Sequence, residues 1–117
     1  MTGANGQIGI PLTKSICNEV GPQGTVLATD LGNAKVEFPC KYQSLDICDE
    51  AHYKELVKEH KIDYIVHLAA ILSATGELYP DKALKVNVDG AISALNIARE
   101  NKCQIFLPST IAAFGGD

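Results

Sequence analysis

The sequence predicts an α/β fold built on a parallel sheet, on two observations. Short β-branched apolar runs alternate with amphipathic stretches of helical period, and a glycine-rich turn opens the chain. A helix is expected just after Gly6, with Ile8, Leu12 and Ile16 spaced four apart on one face, ending near Gly21 and Pro22. Thr25 to Thr29 (TVLAT) reads as a strand that delivers Asp30 at its end, and Lys41 to Leu45 as a second, weaker strand leading to Asp46. Asp49 is placed to cap a helix from Glu50 to His60 whose inner face carries Leu56 and Val57 with Ala51 or Tyr53. Tyr64 to Leu68 (YIVHL) reads as a buried strand. A longer helix from about Lys82 to Glu100 is expected to bury a stripe of Leu84, Val88, Ala91, Leu95 and Ala98. Gln104 to Pro108 (QIFLP) closes the series.

Composition fits one globular domain. The chain has 117 residues, 46% of them hydrophobic and 21% charged, enough to bury a core but too few for two domains, so residues 1–117 are read as part of a single domain. The net charge is −4 and the Lys and Arg residues are scattered singly, which argues against nucleic acid or an anionic membrane as partner. The N-terminal stretch MTGANGQIG lacks the charged and apolar regions of a signal peptide. Cys17, Cys40, Cys48 and Cys103 lie too far apart for a C-x-x-C motif and read as reduced thiols, with no metal site expected.

The chemistry sits at the glycines. Gly3, Gly6 and Gly9 form a G-x-x-G-x-x-G pattern opening a helix: the first permits a tight turn, the second lets backbone approach a phosphate, and the third lets helix pack closely on sheet. Asp30 stands 24 residues past Gly6 at a strand end. There a carboxylate accepts hydrogen bonds from an adenosine ribose and repels a 2′-phosphate, which favours NAD over NADP. A dinucleotide-binding turn normally follows a central strand, and only Met1 and Thr2 precede Gly3. The expectation is therefore a doubly wound parallel sheet, a Rossmann fold that is incomplete, lacking its first strand and C-terminal half. Unpaired backbone groups and an unfilled core layer should mark the gap.

The segment TGANGQIG resembles the TGxxGxxG turn of the extended short-chain dehydrogenase/reductase family. Asp46 in SLDICD matches that family's Asp after the third strand, near the adenine ring. His67-Leu68-Ala69-Ala70 resembles its H-x-A-A motif, and Asn87 in KVNVDG, with Gly90 three residues on, its structural Asn. Ser109 and Thr110, through Phe114 and Gly115, resemble its S-[ST]-x-x-x-[YF]-G turn. Within the family, ILSATGE and PSTIAAFGG are most similar to the short-chain L-threonine 3-dehydrogenases, where sugar-nucleotide enzymes more often have Tyr at the Phe114 position. The resemblance covers essentially the whole chain.

It implies an NAD site drawn from Gly3, Asn5, Gly6, Gln7, Ile8, Asp30, Asp46, Leu68, Ala69, Ala70 and Asn87, with Thr110 as catalytic hydroxyl and Ser73 contacting the substrate. The implied reaction oxidises the 3-hydroxyl of L-threonine to 2-amino-3-oxobutanoate with hydride passing to NAD. The family's base is a Tyr activated by the Lys of a Tyr-x-x-x-Lys pair. Four residues after Tyr42, Tyr53, Tyr64 and Tyr79 come Asp46, Val57, Leu68 and Ala83, so this chain has no such pair and is expected to be inactive alone. Simpler roles compete: Thr110 can end a strand, Asn87 can tie neighbouring backbone, and His67 can be a core histidine. The alternatives for the parent protein are an NAD-dependent sugar-nucleotide epimerase or dehydratase and, from another class, a non-catalytic nucleotide-binding module. The resemblance also implies a homodimer through the long helix, and a mitochondrial location for an animal-like parent or a cytoplasmic one otherwise.

Overall fold

The computed structural model describes residues 1–109, excepting the side chains of Gln23, Ser73 and Ala74. Helix α1 (Gly9–Val20) ends where Gly21 takes a left-handed φ of 65° and Pro22 bars continuation. Strand β1 (Leu27–Asp30) pairs in parallel with β2 (Lys41–Ser44), Asp30 opposite Ser44. Helix α2 (Glu50–Glu59) starts at Asp49, whose side chain accepts the His52 amide at 3.2 Å. The Asp49 cap is thus borne out, and Tyr53 rather than Ala51 completes the buried face with Leu56 and Val57. Strand β3 (Tyr64–Val66) pairs in parallel with β4 (Gln104–Phe106).

Residues 1–4 join the two pairs of strands. The Met1 amine donates to Leu27 O at 2.8 Å and Met1 O accepts the Thr29 amide at 2.8 Å. On the other side, the Thr2 amide donates to Val66 O at 2.9 Å and Thr2 O accepts the Leu68 amide at 3.2 Å. The order across the molecule is therefore β2, β1, residues 1–4, β3, β4. Short as it is, this segment holds the central position of a doubly wound sheet. The expectation of unpaired backbone groups at the sheet centre is corrected: Met1, Thr2 and Ala4 bond to the strands on both sides. Beside the segment runs a groove of about 890 Å³ lined by Met1, Leu12, Ile16, Val26, Val66 and Phe106, among others.

Helices α2 and α5 (Gly90–Glu100) cover the sheet around Leu27, Leu45, Ile47, Tyr53, Ile65 and Ile97. The expected long helix is three pieces: α4 (Pro80–Leu84) follows a short α3 (Ser73–Leu78), a π-helical turn spans Lys85–Asp89, and α5 continues from Gly90. The expected stripe is corrected accordingly. Leu84, Val88 and Leu95 are exposed, and the buried residues are Gly90, Ala94, Ile97 and Ala98. Two physical causes combine. The π turn adds a residue and rotates the upstream positions, and the core selects small side chains at the start of α5, since a Cβ on Gly90 would stand 2.5 Å from Cδ1 of Ile47 in the turn after β2. Ile8 is likewise 65% exposed, standing at the open end of the glycine turn before α1 meets the sheet.

Candidate functional site

The glycine turn is shaped by what presses on it. Gly3 has a φ of +71°, and a Cβ there would lie 2.7 Å from both Ala69 N and Leu68 C, so the His67–Ala70 stretch needs glycine at this point. Gly9 is buried, and a Cβ on it would lie 2.8 Å from Ala4 Cα. Gly6 is exposed and would meet only Gly3 O, at 3.2 Å. Its amide donates to Gly3 O at 3.1 Å and its carbonyl accepts from Ile10 at 3.1 Å, the first helical bond. Among the described residues the amides of Gln7 and Ile8 have no hydrogen-bond partner. N–H groups left free at an exposed helix start make a cradle that fits a phosphate.

The Asp30 carboxylate lies beside this cradle. The Asn5 amide donates to Oδ2 at 2.9 Å and the Leu31 amide to Oδ1 at 2.7 Å. Asp46 is near in the fold, because Leu45 N donates to Asp30 O at 2.8 Å. Flanked by buried Leu45 and Ile47, it faces outward, and its Oδ1 accepts the Cys48 amide at 2.9 Å. Gly3, Asn5, Gly6, Asp30, Leu68 and Ala69 thus meet at the C-terminal ends of the strands, where open α/β sheets bind ligands. Ala70 is exposed just beyond them.

Asn87 stands apart from the glycine turn, in the π-helical segment. Its Oδ1 accepts the Ile71 amide at 2.7 Å and its Nδ2 donates to Ile71 O at 3.0 Å. It ties neighbouring backbone, as the simpler reading held, and does so from an exposed position. Ser73 opens α3, its side chain not described, and Thr110 lies outside the described residues.

Three residues carry structure that sequence reasoning did not assign. Thr2 Oγ1 accepts the Leu68 and Ala69 amides at 3.2 and 3.3 Å and lies 3.1 Å from His67 Nδ1. Tyr53 OH lies 3.1 Å from the same nitrogen. Burial, aided by the Met1 ammonium, pushes the His67 imidazole down to about 4, and burial pushes the Tyr53 phenol up. Tyr42, third, donates its hydroxyl to Gly32 O at 2.9 Å and stacks on Phe38, with ring centroids 5.7 Å apart. Thr2 alone had a signal, its place in TGxxGxxG.

Comparison with known proteins agrees with this geometry. The model of the "NAD dependent epimerase/dehydratase family" matches residues 1–117. An uncharacterized epimerase/dehydratase of Staphylococcus saprophyticus is 43% identical over 120 residues, covering 98% of this chain and 37% of that protein. Among solved structures, a monomeric L-threonine 3-dehydrogenase from a metagenome, in its apo form, superimposes with a TM-score of 0.90 at 38% identity, covering 97% of this chain and 36% of that one. A UDP-glucose 4-epimerase from Stenotrophomonas maltophila, solved with NAD, gives 0.79 at 25% identity, covering 99% and 38%. The chain spans little more than a third of the length of each. Matched from end to end by the family model, it belongs to the NAD-dependent epimerase/dehydratase family.

Proposed function

We propose that this chain is the cofactor-binding portion of an NAD-dependent L-threonine 3-dehydrogenase. The observation that carries the cofactor half of this reading is the pairing of an open cradle at Gly6, Gln7 and Ile8 with a carboxylate, Asp30, fixed next to it. On a turn shaped by Gly3, Asn5 and Gly6, the free amides of Gln7 and Ile8 would hold the pyrophosphate, and Asp30 the adenosine ribose, with Asp46 near the adenine. Leu68, Ala69, Ala70 and Asn87 would shape the path beyond. When bound, NAD supplies the hydride acceptor. The chain's own residues bind and orient it, with Thr110 orienting the substrate alcohol and Ser73 contacting the amino acid.

The substrate half is supported by the 38% identity to a threonine dehydrogenase against 25% to the sugar-nucleotide epimerase, and by the ILSATGE and PSTIAAFGG stretches. A second reading, an NAD-dependent sugar-nucleotide epimerase or dehydratase, is favoured by the family description and the curated relative's name.

Calorimetric titration of the chain with NAD tests the cofactor half. Saturable binding that disappears in Gly6→Val and Asp30→Ala supports it, and a cooperatively melting chain that takes up no NAD overturns it. Joined to the remaining two-thirds of such an enzyme, the chain should support NAD reduction by L-threonine, and turnover of a UDP-sugar instead would favour the second reading.

A further inference from the structure

Asn5 is buried behind the glycine turn, and every polar atom of its side chain is engaged with one loop. Its Oδ1 accepts the Lys35 amide at 2.9 Å, and its Nδ2 donates to Asn33 O at 3.0 Å and to Tyr42 OH at 3.3 Å. Tyr42 passes the connection on by donating to Gly32 O at 2.9 Å. Gly32, Asn33 and Lys35 are therefore clamped by two side chains, one from the glycine turn and one from β2. The same loop begins with Leu31, whose amide holds one oxygen of Asp30, while the other oxygen is held by the backbone of Asn5 itself.

From this closed circuit we propose that Asn5 and Tyr42 are positioning residues that lock the 31–35 loop around the Asp30 carboxylate and so set the preference of the site for a free 2′-hydroxyl over a 2′-phosphate on the adenosine. The inference rests on the reading of this site as an NAD site. A carboxylate repels phosphate best when it cannot swing aside, and since the backbone of Asp30 is held in β1 opposite Ser44, only its side chain is free to do so. One oxygen is held by the Leu31 amide and the other by the Asn5 amide, so the carboxylate swings aside only by breaking one of these bonds, and displacing the loop that carries Leu31 also breaks the hydrogen bonds made by Asn5 and Tyr42. Asn5 thereby converts one charge into a fixed barrier, and Tyr42, wedged against Phe38, keeps the far side of the loop from opening.

The test is calorimetric titration of the full chain with ADP-ribose and with 2′-phospho-ADP-ribose, in wild type, Asn5→Ala and Tyr42→Phe. Tyr42→Phe keeps the ring and its stacking, so it decides the matter if Asn5→Ala fails to melt cooperatively. The ratio of the two affinities should fall about tenfold in Asn5→Ala and roughly threefold in Tyr42→Phe, the size of one or two net hydrogen bonds. A purely structural role would weaken both ligands alike and leave the ratio unchanged, and that result overturns the proposal. Wild type that binds neither ligand overturns the NAD reading and this inference with it.

Discussion

The hydroxyl of Thr2 and Nδ1 of His67 lie 3.1 Å apart, buried at the seam where residues 1–4 join β3. Thr2 Oγ1 already accepts two amides, from Leu68 and Ala69, which leaves its hydrogen for Nδ1, a nitrogen that the Tyr53 hydroxyl also approaches to 3.1 Å. Nε2 is buried without a partner among the described residues. Protonating a neutral His67 with its lone pair on Nδ1 removes the one acceptor that both hydroxyls face.

A pH dependence of stability follows. His67 is held at about 4 in the fold against 6.5 for a free imidazole, by burial first and the Met1 ammonium second. Between these values the unfolded chain binds more protons, so stability rises with pH across this window. The contribution is full above about 6.5 and is lost as the pH falls toward 4, amounting to at most about 3 kcal/mol. His67→Asn places a neutral polar group near the Nδ1 position. Its urea midpoint should change less with pH than that of wild type in this window, and parallel curves would show that His67 is not the group responsible.

The glycines separate folding from binding. Gly9→Ala drives a Cβ into Ala4 and Gly3 backbone, which cannot yield as a flexible side chain would. We expect a loss of roughly 2 kcal/mol or more, the range for overpacking and strained backbone. Gly6→Ala meets only Gly3 O at 3.2 Å and should melt within about 1 kcal/mol of wild type. It should nevertheless lose NAD affinity, because its methyl group stands where an anion would approach the helix start. Melting both variants and titrating Gly6→Ala with NAD checks the pair.

How much was legible follows from the kind of signal each feature leaves. The Asp49 cap, the stop at Gly21 and Pro22, and the glycine turn rest on local rules and appear where expected. The outer stripe of the long helix was misread because periodicity weighs large side chains, whereas the core admits Gly90 and Ala94 at close range. No local pattern announces a π turn. The Asn5 clamp and the Thr2–His67–Tyr53 cluster join residues far apart in sequence, so they emerge only once the strands are ordered.

Asn87 offers a local test of the loop it ties. Its two hydrogen bonds to Ile71 are exposed, so their net worth is small, about 1 kcal/mol together. Asn87→Ala should therefore leave the global melt nearly unchanged while the Ile71 amide exchanges its hydrogen several-fold faster. Unaltered exchange at Ile71 would mean that the loop is held by something else.

The last expectation concerns self-association. Leu84 and Val88, before and within the π-helical turn, and Ile92 and Leu95 on α5 are all exposed among the described residues. Isolated exposed leucines are common, but four apolar side chains along one segment are costly to leave in water, and a second copy packed against them would bury them reciprocally. Sedimentation of the chain should show a concentration-dependent dimer that Val88→Lys and Ile92→Glu each abolish without lowering the melting temperature of the monomer. A wild-type chain that sediments as a monomer at all concentrations would assign these residues to packing within a longer protein instead.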